Sequence, residues 1–477
     1  MSPSEYSQQD AVELAALVRQ KHVKAHELVE AAQKAIAQTN PQLNAVIGPI
    51  EPRLDFDPEA PFAGVPILLK DLGQFLTGVP CEGGSRLLKN HFVPTADSEI
   101  IKRIKAAGFI PIGRTNTPEF GINVSTEPLS YGPTRNPWNV EHSVGGSSGG
   151  AAAAVAAGMV AIAHGSDAGG SIRIPAACCG VVGLKPSRGR TPWGRGAWEG
   201  LHGLSVQFAN SRSLRDSAAL LDALQGPGEG HKYGLQPNLE SYLDALHRRP
   251  KPLRIAIATT WQGVKADGES ADAVRSTADL LESLGHEVVE DQPHYDLEAY
   301  IRNATVLYSS SITGTIESYK QTLKVEPSPD NLEATIWQMY QLGLKTSALE
   351  LERAFAFFNQ ICWKMGDFFA GYDAMVTPTL ATVPVKLGYY NANDSTLDAF
   401  GWFNRRMTGF GLFTTPFNVT GQPALSLPLY QSQTGLPIGI QLIGHYADEA
   451  LLFSLGGQLE QALPWTGRKP PIHAGPT

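Results

Sequence analysis

Two glycine-rich segments carry serines that could act as nucleophiles: Gly145-Gly146-Ser147-Ser148-Gly149-Gly150 and Gly165-Ser166-Asp167-Ala168-Gly169-Gly170-Ser171-Ile172-Arg173. Glycine lets backbone N–H groups approach a ligand closely and adopts conformations that a Cβ forbids. Either turn can therefore aim amides at an anion, and the amides of Ala168, Gly169, Gly170 and Ser171 form a candidate oxyanion hole beside the Ser171 hydroxyl. A single glycine-rich loop is most simply a tight turn near a sheet edge. Two such loops, both bearing serine and joined by a run of alanines, favour chemistry. A serine also needs a base, and the run Gly64-Val65-Pro66-Ile67-Leu68-Leu69-Lys70-Asp71 ends an apolar, strand-like segment in a lysine. Burial disfavours the ammonium, and moving a lysine from ~10.4 into the 7–8 range of a useful base takes roughly 4 kcal/mol of differential solvation. In isolation Lys70 would read as a lysine snorkelling from a strand end; the serines change that reading.

These residues must be held by a folded chain, and the composition supplies one. Of 477 residues 42% are hydrophobic and 18% charged, which excludes general disorder. Residues 7–38 read as two helices, with stripes at Ala11, Leu14, Leu17 and Val18 and at Leu28, Ala31, Ala32 and Ile36. From Phe62 the texture becomes α/β: an apolar run at 65–69, a helix near 98–107 stopped by Gly108, then a strand at 109–112. A second unit runs from Leu253, Ile255 and Ile257 through a helix ending at Leu284 to a strand at Val288 and Val289. A sheet with helices on both faces follows. Ser213 is an N-cap for a helix over 213–224, residues 226–252 read as a surface connection, and Leu452, Leu455, Leu459 and Leu463 keep helical spacing near the end.

The net charge of −8 has the wrong sign for a protein that neutralises phosphates, so nucleic acid is excluded as a direct ligand. The alanine-rich run 151–163 is too short and too weakly apolar to span a membrane, and the first ten residues hold no secretory signal. Four cysteines, Cys81, Cys178, Cys179 and Cys362, without a CxxC pair, predict a cytoplasmic protein with no disulfide.

The Lys70 segment, residues 145–150 and residues 166–186 together resemble the amidase signature family. The likeness extends through Gly113-Arg114-Thr115-Asn116-Thr117-Pro118-Glu119, Thr134-Arg135-Asn136-Pro137-Trp138-Asn139, Cys179-Gly180-Val181-Val182-Gly183-Leu184-Lys185-Pro186, Pro416-Phe417-Asn418 and Gly421-Gln422-Pro423-Ala424. It implies one α/β domain over 1–477, a large mixed β-sheet covered by helices on both faces, with a helical lead at about 1–60 and the signature core at about 61–210. It also implies Ser171 as acyl nucleophile, Ser147 as the middle residue with a cis peptide bond, and Lys70 as neutral base, the 24-residue step between the serines matching the family's spacing. Ser148 would help orient Lys70, and Asp167 and Arg173 would pair to hold the nucleophile turn. The implied reaction is amide hydrolysis through an acyl-enzyme, with neither metal nor organic cofactor, extending to activated esters and carbamates. Within the family, the segments at 134–150, 188–190 and 416–428 look most like the hydrolases of cyclic or linear 6-aminohexanoate oligomers and aryl acylamides. The expected partner is a small amide substrate, with the oligomeric state, monomer or homodimer, open. Trp193, Trp198, Trp402, Phe403, Phe410 and Phe413 lie in segments that could line an acyl or leaving-group pocket, core packing being the competing reading of each.

Rival patterns are weaker. Gly145-x-Ser147-x-Gly149 satisfies a nucleophile elbow, which expects a hydrophobic strand before it, whereas the preceding residues 136–143 are polar and broken by Pro137. His26-Glu27-Leu28-Val29-Glu30 and His286-Glu287-Val288-Val289-Glu290 are HExxE, one residue short of a zinc motif. A glutaminase subunit of a tRNA-dependent amidotransferase is the alternative function. Such a subunit would continue after Arg190 into a Tyr-Gly-Leu and Ser-Leu-Asp type segment, where this chain has Thr191-Pro192-Trp193-Gly194.

Overall fold

Short apolar runs punctuated by glycine and proline become the strands of one mixed sheet. The computed structural model describes residues 1–193 and 199–475. Among them the sheet has eleven strands, in the spatial order Val46–Pro49, Ile110–Thr115, Pro66–Lys70, Ile162–Asp167, Val206–Ser211, Val182–Lys185, Ala424–Gln431, Pro437–Gly444, Ala374–Pro378, Arg254–Ile257 and Glu287–Glu290. Pro66–Lys70 runs parallel to both neighbours and is buried throughout, as the unbroken apolar run requires. Leu68 pairs with Ala163, which brings the ends of these two strands, Lys70 and Asp167, to the same edge of the sheet. Chemistry at the carboxyl ends of parallel strands is the usual arrangement in open α/β sheets.

The alanine run forms the helix Gly149–Ala156, buried along its whole length. Small residues are obligatory there: a Cβ on Gly150 would lie 2.5 Å from the Asn116 amide nitrogen and 2.6 Å from the Ala45 carbonyl oxygen. A helix that touches neighbouring backbone this closely starts the chain from the first serine turn towards the strand that leads into the second.

The N-terminal helices Ala11–Arg19 and Ala25–Leu43 lie where the stripes place them, but the lead is not a separate layer. Its continuation Val46–Pro49 is an edge strand of the main sheet, antiparallel to Ile110–Thr115. The Asp216 carboxylate, on the helix Leu214–Leu224, accepts from the Ala11 and Val12 amides at 2.9 and 3.0 Å, so one helix caps the N-terminus of another. Ser213 caps Leu214–Leu224 as expected, accepting from the Asp216 amide. The stretch 226–252 differs from a plain surface connection. It contains the helix Tyr242–Leu246, whose spacing puts Tyr242, Ala245 and Leu246 on one buried face, and which packs against the final helix Glu449–Ala462.

The helix Leu297–Leu323 packs against both Ala348–Phe369 and Ala399–Met407, and its Tyr308 reaches the chain just beyond Asp167 at the Ala168 carbonyl. No helix among the described residues is long and apolar enough to cross a membrane. His286, in the second HExxE pattern, has both ring nitrogens engaged, Nδ1 by the Leu253 amide at 3.1 Å and Nε2 with Gln458 at 2.9 Å.

The surroundings of two helical glycines predict opposite responses to the same substitution. Gly314 meets nothing within 4 Å of an added Cβ, so Gly314→Ala is expected to stabilise by about 0.5–1 kcal/mol. Gly150→Ala, forced against backbone, is expected to destabilise by roughly 2 kcal/mol despite the same gain in propensity. Denaturant midpoints of the two variants check the pair.

Candidate active site

Lys70 is fully buried at its strand end, and its Nζ donates to Ser147 Oγ at 2.7 Å and to Ser166 Oγ at 3.0 Å. Burial pushes its pKa down to about 7, with the Asp167 carboxylate pulling weakly the other way. The amine is therefore poised to take and return a proton near neutrality. Nearby His164 is also buried, and desolvation drives its pKa to about 4 against the raising effect of its bond to Gln207.

The turn before Ser147 is shaped by its glycines. The Gly146–Ser147 peptide bond is cis, and Gly145 has φ +72°. A Cβ on Gly146 would lie 2.7 Å from the Asn123 carbonyl oxygen and 2.8 Å from the Ser125 amide nitrogen, so the chain passes there only without a side chain. The Ser148 amide donates to the Ser171 carbonyl at 3.0 Å, which ties the two serine turns together. Ser148 does not reach Lys70. Its hydroxyl instead donates to the Ser166 carbonyl at 3.2 Å and accepts from the Ser166 amide at 3.3 Å, while Ser166 supplies the oxygen that holds the lysine. Strand alternation turns the Ser166 side chain to the Lys70 face, and Ser148, at the helix entrance, meets the strand's backbone, so Ser148 bears on Lys70 through Ser166.

The second turn hangs on Asp167. Its carboxylate accepts from the Gly170 amide at 2.8 Å, the Ile172 amide at 3.1 Å, Asn418 Nδ2 at 2.9 Å, and Arg173 Nε and Nη2 at 3.0 and 2.9 Å. Burial alone would raise this carboxyl, but Arg173, Lys185 and Asn418 outweigh it and hold the group well below the usual carboxylate range. Arg173 spends its remaining donors on Thr414 O, Gln441 Oε1 and Asn418 Oδ1 at 2.7–2.8 Å. The carbonyls of the turn are pulled outward, Ala168 O by the Tyr308 hydroxyl at 2.6 Å and Gly169 O by the Thr414 and Thr415 hydroxyls at 2.8 and 2.9 Å. Peptide planarity then turns the Gly169 N–H the opposite way. Of the four expected oxyanion donors, Gly170 is taken by Asp167, whereas the amides of Ala168, Gly169 and Ser171 have no partner among the described residues. Ser171 itself is partly exposed.

A sequence profile described as Amidase matches residues 27–453. The chain belongs to the amidase family. It is 37% identical to a 6-aminohexanoate-cyclic-dimer hydrolase of Paenarthrobacter ureafaciens over 97% of each chain. A solved 6-aminohexanoate cyclic dimer hydrolase superposes with a TM-score of 0.91 at 34% identity, covering 98% of this chain and 99% of that one. A bacterial aryl acylamidase of the amidase signature family superposes with a TM-score of 0.84 at 27% identity, covering 96% and 99%. The amidase is a hydrolase acting on carbon–nitrogen bonds other than peptide bonds.

The aromatic residues of the amidase divide. Trp402, Phe403, Phe410 and Phe413 are at most 1% exposed and pack in the core, Phe410 against Tyr390 and Phe413 against Trp261, so they do not form a substrate surface. Phe403 lies edge-on to Tyr308 at 4.8 Å, one residue removed from the oxyanion turn. Trp193 is half-buried, lies over Gly73, three residues beyond Lys70, and donates from Nε1 to Ser205 O at 2.9 Å. Trp198 lies outside the described residues. Sequence reasoning missed Ser166, Tyr308, Thr414 and Thr415. Ser166 stood in plain view beside Asp167, and the strand period that carries it to the Lys70 face was the available signal; nothing local marks the other three.

Removing Arg173 leaves Asp167 buried without its countercharge. Arg173→Met is expected to cost about 3–5 kcal/mol of stability, measured by denaturant unfolding.

Proposed function

We propose that this amidase cleaves a small, largely apolar linear, cyclic or aryl amide through a seryl acyl-enzyme, and that activated esters and carbamates share the route. Ser171 attacks the carbonyl, its proton passes to Ser147, and the Ser147 proton passes to neutral Lys70. The amides of Ala168, Gly169 and Ser171 receive the developing oxyanion. The resulting Lys70 ammonium returns a proton through Ser147 to the departing nitrogen, the C–N bond breaks, and water later attacks the acyl-Ser171 ester by the same relay. The observation that carries this reading is the 2.7 Å contact between a fully buried lysine and Ser147, on a turn bonded directly to that of Ser171. The substrate class is supported by the relatives, a cyclic-dimer hydrolase and an aryl acylamidase. A cytoplasmic location is supported by four free cysteines, three of them buried.

The mechanism predicts its own pH dependence. Lys70 must be neutral to accept a proton, so kcat/KM for a chromogenic anilide is expected to rise tenfold per pH unit below about 7 and to level above it. Peptide mapping after fluorophosphonate treatment is expected to find one adduct, on Ser171, and none in Ser171→Ala, which should hydrolyse no amide. An adduct on Ser147 or Ser148 would overturn the assignment, and glutamine-dependent ammonia release with a copurifying partner would move the chain to the amidotransferase class.

A further inference from the structure

Arg406, on the helix Ala399–Met407, is a buried cation without a counter-ion. It is 5% exposed, and no carboxylate among the described residues lies within ion-pair distance of it. Its guanidinium lies 4.3 Å from the ring centre of Phe403 and 5.3 Å from that of Trp402. Nη1 donates to the Ile122 carbonyl at 2.9 Å, and Nε has no partner. Burial lowers its pKa only to about 10, so the charge persists at neutral pH. A buried, unpaired charge is costly to a fold, and proteins normally pair or remove it.

Its position relates it to both halves of the site. Ile122 follows Gly121, where an added Cβ would lie 3.1 Å from Ser147 Oγ, so the carbonyl that Arg406 grips belongs to the wall beside the relay serine. On the other side Phe403, on which the guanidinium stacks, packs against Tyr308, and Tyr308 holds the Ala168 carbonyl of the oxyanion turn. The other charges here are already balanced or suppressed: Asp167 is paired with Arg173, and Lys70 titrates near 7. Arg406 therefore leaves positive potential around a turn that must accept negative charge.

We propose that Arg406 is an electrostatic positioning residue, whose uncompensated charge, held beside Phe403, Tyr308 and the Ile122 carbonyl, favours the tetrahedral oxyanion over the neutral substrate. The proposal rests on the reading of Ser171 as nucleophile. The charge is uncompensated in the resting enzyme, and its field acts through Phe403 and Tyr308 on the turn where negative charge develops, so its stabilisation falls on the transition state. Charge and shape separate by substitution: Arg406→Lys keeps the cation, Arg406→Met keeps the volume, and Arg406→Gln keeps an amide donor.

The test measures kcat and KM on a chromogenic anilide, the second-order rate of fluorophosphonate labelling, and thermal midpoints for the three variants and the parent. The expected result is a loss of about tenfold or more in kcat for Met and Gln, with KM within about twofold, a parallel fall in labelling rate, and recovery of most activity with Lys. Equal losses in Lys and Met at unchanged thermal midpoints would overturn the charge argument, as would parental labelling rates in Met and Gln. Should Met or Gln fail to fold, the folded Lys variant decides alone, near-parental kcat supporting the charge argument and a tenfold loss overturning it. Failure of the underlying reading is distinct, because the parent enzyme itself would then carry no adduct on Ser171.

Discussion

A carboxylate with no access to water has to be saturated from within, and Asp167 meets that demand by organising everything around it. Two amides of its own turn, the Arg173 guanidinium and the Asn418 amide converge on its two oxygens. Each partner is fixed in turn: Arg173 reaches Thr414, Asn418 and Gln441, residues more than 240 positions later in the chain. Buried ion pairs of this kind add little net stability when both desolvation costs are counted, but their geometry admits few alternatives. Here that specificity sets the conformation of the turn that carries Ser171, and it binds the C-terminal third of the chain to the strand that leads into that turn.

The same desolvation acts on Lys70 with the opposite chemical use. Asp167 is kept charged because cationic and hydrogen-bonding partners surround it, whereas Lys70 meets two hydroxyls and an apolar strand, so its ammonium form is disfavoured. Two ionisable groups at adjacent strand ends thus favour different charge states, one ionised and one neutral, the condition under which one provides a rigid frame and the other can exchange protons. Gly121, Gly146 and Gly170 permit the crowding this needs, since a Cβ at any of them would meet a neighbouring atom at 2.3–2.7 Å.

Four serine positions illustrate how much a local pattern conveys. Ser147 and Ser171 were legible as candidates because each directly follows a glycine pair inside a glycine-rich turn. Ser148 bears on the lysine only through Ser166, because a helix entrance and a strand end present side chains by different periods and only their packing decides which hydroxyl faces the lysine. The four buried aromatic residues near the C-terminus were ambiguous for a related reason: the residue types that line pockets are also those that fill cores, and burial is a property of neighbours rather than of sequence.

By itself the sequence determined the α/β alternation, the apolar strand ending in Lys70, the two serine turns and the excess of acidic over basic residues, since each depends on spacing within a short segment. Only the tertiary structure decided which amides of the Ser171 turn stay unpaired, which hydroxyl supports the lysine, and that Arg406 lies without a counter-ion beside Tyr308. Those outcomes depend on hydrogen bonds and charges between segments up to 280 or so residues apart, whose meeting is set by the order of strands in one sheet.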